Sequence, residues 1–237
     1  MNVTELSDGF DTLVDSYRRF KDFDKKEEFD SIEFNEYEKS LYLTLAQDDI
    51  VIALYTGRNA YGEAFEGTEE LRRYLDDLVV SRKCEEIAGD NIGVSSTSRF
   101  FSLPDDIAFI VYEQATLDDE SLGCFNGSVA DVKPTLHDEY NRSRNNPFRG
   151  PSKYRILRLD AGKDKVELVS KYHFKDYLIR YIAKPKPIIL EDLSVSDLSI
   201  KGESAVRECQ LNQVLHHTIL KRAVQMALAS KGIQVNN

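Results

Sequence analysis

The apolar period changes twice along this chain, and that change limits the folds open to it. Leu6, Phe10, Leu13, Tyr17 and Phe20 recur four, three, four and three residues apart, one stripe on an α-helix. After Gly89 the chain breaks into short β-prone runs, and from Asn212 helical spacing returns. Blocks of helix, strand and helix in that order predict an α+β fold. A helical module is then built from both ends of the chain, residues 1–91 and 205–237, with a β-rich insertion over 92–204 that includes an edge segment.

Local signals set the elements inside this frame. A very acidic connector, DFDKKEEFDSIEF, follows the first stripe. Asn35, with Glu38 three residues on, makes a capping-box start for a helix running to Gly57, a natural C-terminal stop. Its apolar residues Leu41, Leu43, Leu45, Ile50, Val51, Ile52 and Leu54 cover more than one face. Such a helix lies between neighbouring elements, or turns its second face to another subunit. Thr68 is an N-cap for a third helix with its stripe at Leu71, Tyr74, Leu75, Leu78 and Val79. Asn212 caps the last one, where Leu215, Ile219, Ala223 and Ala227 form the stripe and Gly232 closes it.

Between them, GVSSTSRFFSL, DIAFIVYEQATL and CFNGSVADVKP read as strands, Thr135–Arg144 as a short helix or irregular stretch, and NNPFRGP as a turn. KYRILRLD and KVELVSKY form a hairpin across AGKD, and DYLIRYIAKP is a further strand. Alternation of Val166 and Leu168 with Glu167 predicts a sheet with one wet face. Pro185 and Pro187 stand two apart, so in an extended chain both missing N–H groups lie on one side. KPKPIIL is therefore an edge strand or an extended arm, blocked against aggregation on that side or paired on the other with a neighbouring chain.

Composition removes several classes of function. No run approaches the roughly 18–20 apolar residues of a membrane helix, and the N-terminus carries acids where a signal peptide has its basic and apolar regions. Synthesis in a cytoplasmic compartment and no membrane partner are expected. Cys84, Cys124 and Cys209 are far apart and read as buried reduced thiols. No phosphate loop, dinucleotide fingerprint, nucleophile elbow or zinc motif is present, so no metal and no cofactor are expected. His216 and His217 diverge by about 100° on a helix and cannot share a metal; one half-buried and one exposed imidazole is the plainer reading. His137, Asp138 and Glu139 lack a nucleophile or metal cluster beside them, which leaves little for catalysis.

Charge is uneven. The net of −10 hides a segment 1–91 with 11 Lys+Arg against 23 Asp+Glu, and a segment 137–190 with 13 against 6. Opposite poles let a molecule pack head to side against a copy of itself or another oppositely charged partner.

Five stretches, FNEYEKSLYLTLAQDDIVIALYTGRN, FEGTEELRRYLDDLV, VKPTLHDEYNRSRNNPFRGP, YLIRYIAKPKPIIL and CQLNQVLHHTILKRAVQMALAS, together resemble the structural ring or head–tail connector proteins of crAss-like gut bacteriophages. They occur in that family's order and span about residues 34–230. The resemblance implies a virion subunit with no catalytic residues, assembled in a ring of roughly twelve copies on the portal vertex. Its partners would be the portal protein, the next tail ring protein, and genomic DNA only as it passes through the channel. A cyclic head-to-side interface needs two different complementary patches on one molecule. The acidic N-terminal module offers one; Arg155, Arg158, Lys184, Pro185, Lys186 and Pro187 are the candidate residues of the other. A soluble phage-encoded assembly chaperone or cargo-binding protein is the other reading the sequence leaves open.

Overall fold

A helix with polar side chains buried along one face must find hydrogen-bonding partners there, and the longest helix of this protein finds them in an extended segment of its own chain. The computed structural model describes residues 1–20, 33–58, 64–65, 67–88 and 92–233. Its backbone forms two compact units, Met1–Leu78 with Lys184–Asn237, and Val79–Ala183. The protein is α+β, with N-terminal helices, a strand-rich middle and a C-terminal helix, as the two changes of period predict.

In the helical unit, α1 (Val3–Phe20) buries Leu6, Phe10 and Val14, so its core stripe runs through Val14 while Leu13 and Tyr17 are half-buried. The acidic connector after it lies almost wholly outside the described residues. Helix α2 (Glu36–Thr56) begins at the predicted capping box, Asn35 accepting from the Glu38 amide at 2.8 Å and Glu38 from the Asn35 amide at 3.1 Å. It ends at Gly57, whose φ of 78° is a left-handed cap. Helix α3 (Glu69–Leu75) starts from Thr68 as expected, but it stops at Leu75 and a 3-10 turn at Asp76–Leu78 follows. The C-terminal helix, here α5 (Gln213–Ser230), is capped by Asn212 and packs its stripe Leu215, Ile219, Ala223 and Ala227 against α1 and α2.

One face of α2 is polar and fully buried, while Leu45 and Ile52 are exposed on another. Ser40, Thr44 and Gln47 are at most 1% exposed and stand four and three residues apart, hence in one row. Along them runs Lys186–Leu190. The Leu190 amide donates to Ser40 Oγ at 3.0 Å, the Ile188 amide to Thr44 Oγ1 at 3.1 Å, and Gln47 Nε2 donates to the Lys186 carbonyl at 2.8 Å. Alternate residues of an extended chain present their peptide groups to the same side, so 186, 188 and 190 all address the helix. On the opposite side Ile189 exchanges both backbone bonds with Arg207, at 3.0 and 2.9 Å. Pro185 and Pro187 share that opposite side, where they offer no further donor, and the pairing does not continue as a ladder. Lys186–Leu190 is thus an extended arm outside the sheet, and helix α2 occupies the side on which a neighbouring chain had been one expectation.

Lys39, on the same helix, is 4% exposed and joins α1 to α2: its ammonium lies 2.6 Å from Asp11 and 2.9 Å from Glu36. Burial alone would depress its pKa, but the bonds to Asp11 and Glu36 outweigh that and hold it above the ordinary value.

The β unit is a seven-stranded sheet in the order β1-β7-β3-β4-β5-β6-β2. The strands are β1 (Val79–Lys83), β2 (Ser98–Ser102), β3 (Ile107–Leu117), β4 (Val129–Pro134), β5 (Arg155–Asp160), β6 (Lys165–Val169) and β7 (Phe174–Ala183). Neighbours are antiparallel except β4 and β5, which run parallel across a connection containing helix α4 (His137–Ser143). Strand β1 was expected as the end of the third helix. The two β-branched residues Val79 and Val80 instead open a strand on the edge of β7, paired Val79 to Ile182 and Lys83 to Leu178. Just past β1 the chain changes partner: the Ser102 amide donates to the Glu85 carbonyl at 2.9 Å, and the Ile87 amide to the Phe100 carbonyl at 2.8 Å. That junction carries the chain from the β7 edge onto β2, so β2 has backbone partners on both sides, while β1 ends the strand order with exposed residues.

The interior holds Phe101, Ala115, Leu117, Ile156, Leu168 and Phe174, among others. Asp176, in the left-handed region at φ 55°, breaks the alternation of β7 so that Phe174 and Tyr177 both point inward. The outer side of β5 and β6 is not the wet face expected of it. Tyr140 of α4 covers Leu157, Leu159 and Val169 there. Glu167, read as a solvent position, is 4% exposed because its carboxylate accepts from the Val94 amide at 2.6 Å and from the Ser98 hydroxyl. Of the thiols, Cys84 is buried and Cys209 half-buried, but Cys124, expected inside, is exposed.

The polar row on α2 gives a first test. Thr44→Val keeps the side-chain shape and strands both the N–H and the C=O of Ile188, since Thr44 Oγ1 also donates to that carbonyl at 3.3 Å. A loss of about 2–4 kcal/mol in urea unfolding is expected. Thr56→Val, an exposed position on the same helix, should change stability by less than about 0.5 kcal/mol; equal effects at both sites would refute the role of the row.

Candidate functional site

Among the described residues no group of three or more His, Cys, Asp or Glu is placed to hold a metal ion. His137, Asp138 and Glu139 form the exposed first turn of α4, and His137 Nε2 is 2.8 Å from the Asp160 carbonyl. His216 is 4% exposed, more buried than expected, with Nε2 2.9 Å from the Leu211 carbonyl, while His217 is exposed. Burial pushes the Cys84 thiol up to about 12, which removes it as a nucleophile near neutral pH. No described helix is long and apolar enough to cross a membrane.

What the molecule does offer is surface. Counted by unit, the helical unit holds 16 Lys+Arg against 25 Asp+Glu, a net of −9, and the β unit 15 against 16, a net of −1. The β unit is balanced overall but not evenly. Residues 140–159 contain six Lys and Arg and no Asp or Glu. Five of the six, Arg142, Arg144, Arg149, Lys153 and Arg155, pair with no carboxylate among the described residues. Elsewhere in the same unit Lys83, Arg99, Lys133 and Lys175 are each matched to an acid.

The loop after α4 presents these cations together with aromatic rings. Asn146 Oδ1 accepts from the Phe148 amide at 2.8 Å and the Arg149 amide at 3.2 Å, and the Arg155 guanidinium donates to the Phe148 carbonyl. Gly150 is buried so tightly that a Cβ would lie 2.7–2.8 Å from the carbonyl oxygens of Ser143, Arg144 and Asn146. Fixed in this way, Phe148 is 86% exposed. Six residues on in the same segment, Tyr154 is 61% exposed and meets Phe125 edge-on, with ring centres 6.4 Å apart. Lys153 Nζ lies 3.5 Å from the Phe125 ring centre and 5.0 Å from that of Tyr154.

The six residues singled out from the sequence divide between the two units, two in the β unit and four in the helical unit. Arg155 belongs to this loop. Arg158, three residues on, points into the sheet's interior, where Nη1 is 2.9 Å from the 6%-exposed Glu113 and Tyr177 donates to the same carboxylate. Burial raises the pKa of Glu113, opposed by the Arg158 charge and by the bonds from Tyr177 and Arg158. Lys184 and Lys186 are exposed on the arm of the helical unit, and Pro185 and Pro187 are buried in it. Phe148 falls in NNPFRGP, which reads as a turn, and Lys153 and Tyr154 open KYRILRLD, which reads as a strand. The signal available was a phenylalanine at the centre of a turn otherwise built from polar residues, glycine and proline.

Comparison with known proteins bears on what such a surface is for. The whole chain, residues 1–237, matches the family described as phage tail ring protein 3/4. It is 48% identical to Ring protein 3 of Bacteroides phage crAss001 over 232 residues, 98% of this chain and 96% of that one. It is also 30% identical to Ring protein 4/5 of the same phage over 239 residues, 97% of this chain and 93% of the other.

The Glu113–Arg158 pair yields a prediction separate from any assembly. Replacing either partner alone, by Glu113→Leu or Arg158→Leu, leaves an uncompensated buried charge, with an expected loss of about 3–5 kcal/mol. The double replacement should lose far less, and additive losses in urea unfolding would refute the coupling. The pH dependence carries a definite sign. A carboxyl whose folded pKa lies above its unfolded one binds protons more readily in the native state. Stability should therefore fall as pH rises from the ordinary carboxylate range through the raised pKa of Glu113, then level off. Glu113→Gln should remove that fall.

Proposed function

The chain belongs to the phage tail ring protein 3/4 family, a structural component of the virion tail, and we propose from that premise that it is a head–tail connector subunit. Roughly twelve copies surround the DNA channel at the portal vertex. The portal protein lies on one side of the ring and the next tail ring protein on the other, and genomic DNA is touched only in passage. The protein acts by binding rather than catalysis, without cofactor, metal or membrane. It is synthesised in the host cytoplasm.

The observation that carries this reading is similarity along nearly the whole chain to two ring proteins of one phage. Higher identity to Ring protein 3 than to Ring protein 4/5 favours the corresponding ring of the tail. The charge distribution suits a heterologous contact, in which each copy presents two unlike surfaces: a helical unit of net −9 and a β unit carrying a cluster of unpaired cations. We further propose that the two compact units are separate folding domains, and that Arg155, Lys184 and Lys186, with their side chains at the surface, contribute to subunit contacts. Arg158, Pro185 and Pro187 serve such contacts only by shaping the segments that carry them.

A cryo-EM map of the intact tail vertex tests the proposal. One ring of roughly twelve copies between portal and tail is expected. A ring with no path to the portal, or a position at the distal end of the tail, would reject the connector role while leaving membership of a tail ring intact.

A further inference from the structure

We infer that the loop surface centred on Phe148, with Arg149, Lys153, Tyr154 and Phe125, is the docking site for the acidic helical unit of a second copy of this chain. The inference rests on the ring reading and assigns its surface. Three observations carry it. The first is composition: an 86%-exposed phenylalanine and a 61%-exposed tyrosine stand among arginines, and Tyr, Phe and Arg are the residues enriched at the centres of protein interfaces. The second is rigidity. Asn146, Gly150 and Arg155 hold the Phe148 backbone through side-chain bonds and a contact that admits no Cβ, so little freedom is lost when Phe148 is covered. The third is charge. The loop's cations lack carboxylate partners in their own unit, whereas the helical unit carries the chain's excess of acid. Asp76, Asp77, Glu191 and Glu208 are exposed there and pair with no cation among the described residues.

The same cations raise nucleic acid as a partner, and the geometry argues against it. A base-stacking platform needs several open aromatic faces; Phe148 is open, but the Lys153 ammonium sits over the rings of both Phe125 and Tyr154. A sticky cationic patch on a channel wall would also hold DNA that must slide past it.

The test uses the full-length chain with a benzophenone amino acid at position 148, mixed with nitrogen-15-labelled wild-type chain so that contacts between copies are identified by mass. Cross-links should reach peptides within residues 1–78 or 184–237 of the labelled copy. Arg149→Glu with Lys153→Glu should weaken self-association at least about tenfold in sedimentation velocity, with unchanged circular dichroism and melting. Raising salt from about 0.05 to 0.5 M should weaken the wild type in the same direction. Cross-links confined to residues 79–183, cross-links to added duplex DNA instead of protein, a double variant that associates like wild type, or a wild-type chain that stays monomeric at about 100 μM would each overturn the assignment. The tail-vertex map separates the two failures. A ring whose subunits meet through other surfaces removes this docking site alone, and absence from any portal-linked ring removes the connector reading.

Discussion

The helical unit depends on one exchange of hydrogen bonds, between the polar row Ser40–Thr44–Gln47 and the arm Lys186–Leu190. Without it, α2 would bury three polar side chains and the arm would bury peptide groups with no partner, each at a cost of about 1–3 kcal/mol. With it, a helix face does what a neighbouring strand does in a sheet. The arithmetic of the two repeats makes this possible. Seven helical residues advance about 10.5 Å and four extended ones about 13 Å, close enough for side chains of graded reach to bridge the difference: a serine, a threonine and a glutamine. The arm's other side closes on Arg207 and then on prolines that offer no donor. Each backbone direction is thereby settled inside one subunit, and the segment that follows leads into the N-cap of α5.

The β unit settles its polar groups differently. Its curled sheet brings its two ends into contact, because the chain that pairs with β7 as β1 continues onto β2. The same curling brings a carboxylate, a guanidinium and a phenol into a largely apolar interior. Glu113 accepts there from Arg158 Nη1 and from Tyr177, while Arg158 Nε, 3.5 Å from Asp160, is buried without a hydrogen-bond partner among the described residues. Burial raises the pKa of Glu113 against the help of its partners. A pair of this kind contributes little net stability but makes each partner hard to lose. Arg158 is therefore held by folding, whatever the outer surface contacts.

Much of the architecture was legible in the sequence, and what escaped has a common cause. Asn35, Glu38 and Gly57 marked α2 to the residue, and Asn212 marked α5, because caps are local chemistry. Three features depended on residues far away. Val79 continues a helical stripe by spacing, and only the pairing of Val79–Lys83 with β7 makes a strand there. Glu167 and Arg158 alternate as surface residues should, yet bonds to Val94 and Ser98 in one case and to Glu113 in the other draw them inside. Ser40, Thr44 and Gln47 look like neutral tolerances in a helix until the arm is laid beside them. The proline spacing did identify an extended arm with one side lacking donors; which partner took the other side was a tertiary fact.

Charge shows the same dependence on tertiary structure, with a consequence for assembly. A basic segment read over 137–190 mixes three populations: Arg158 inside the sheet, Lys184 and Lys186 on the helical unit, and the unpaired cations of the loop after α4. Only the last is joined to exposed aromatic rings on a fixed backbone. A net charge near zero for the β unit therefore describes no surface of that unit. Long-range attraction between copies scales with local fields within about a Debye length, roughly 8 Å at physiological salt, and a cluster of five cations over fourteen residues acts at that range where a balanced total does not. A ring subunit needs two unlike surfaces that do not pair with themselves. Placing unpaired cations on one folding unit and excess acid on the other meets that need, since like surfaces of two copies repel while unlike ones attract.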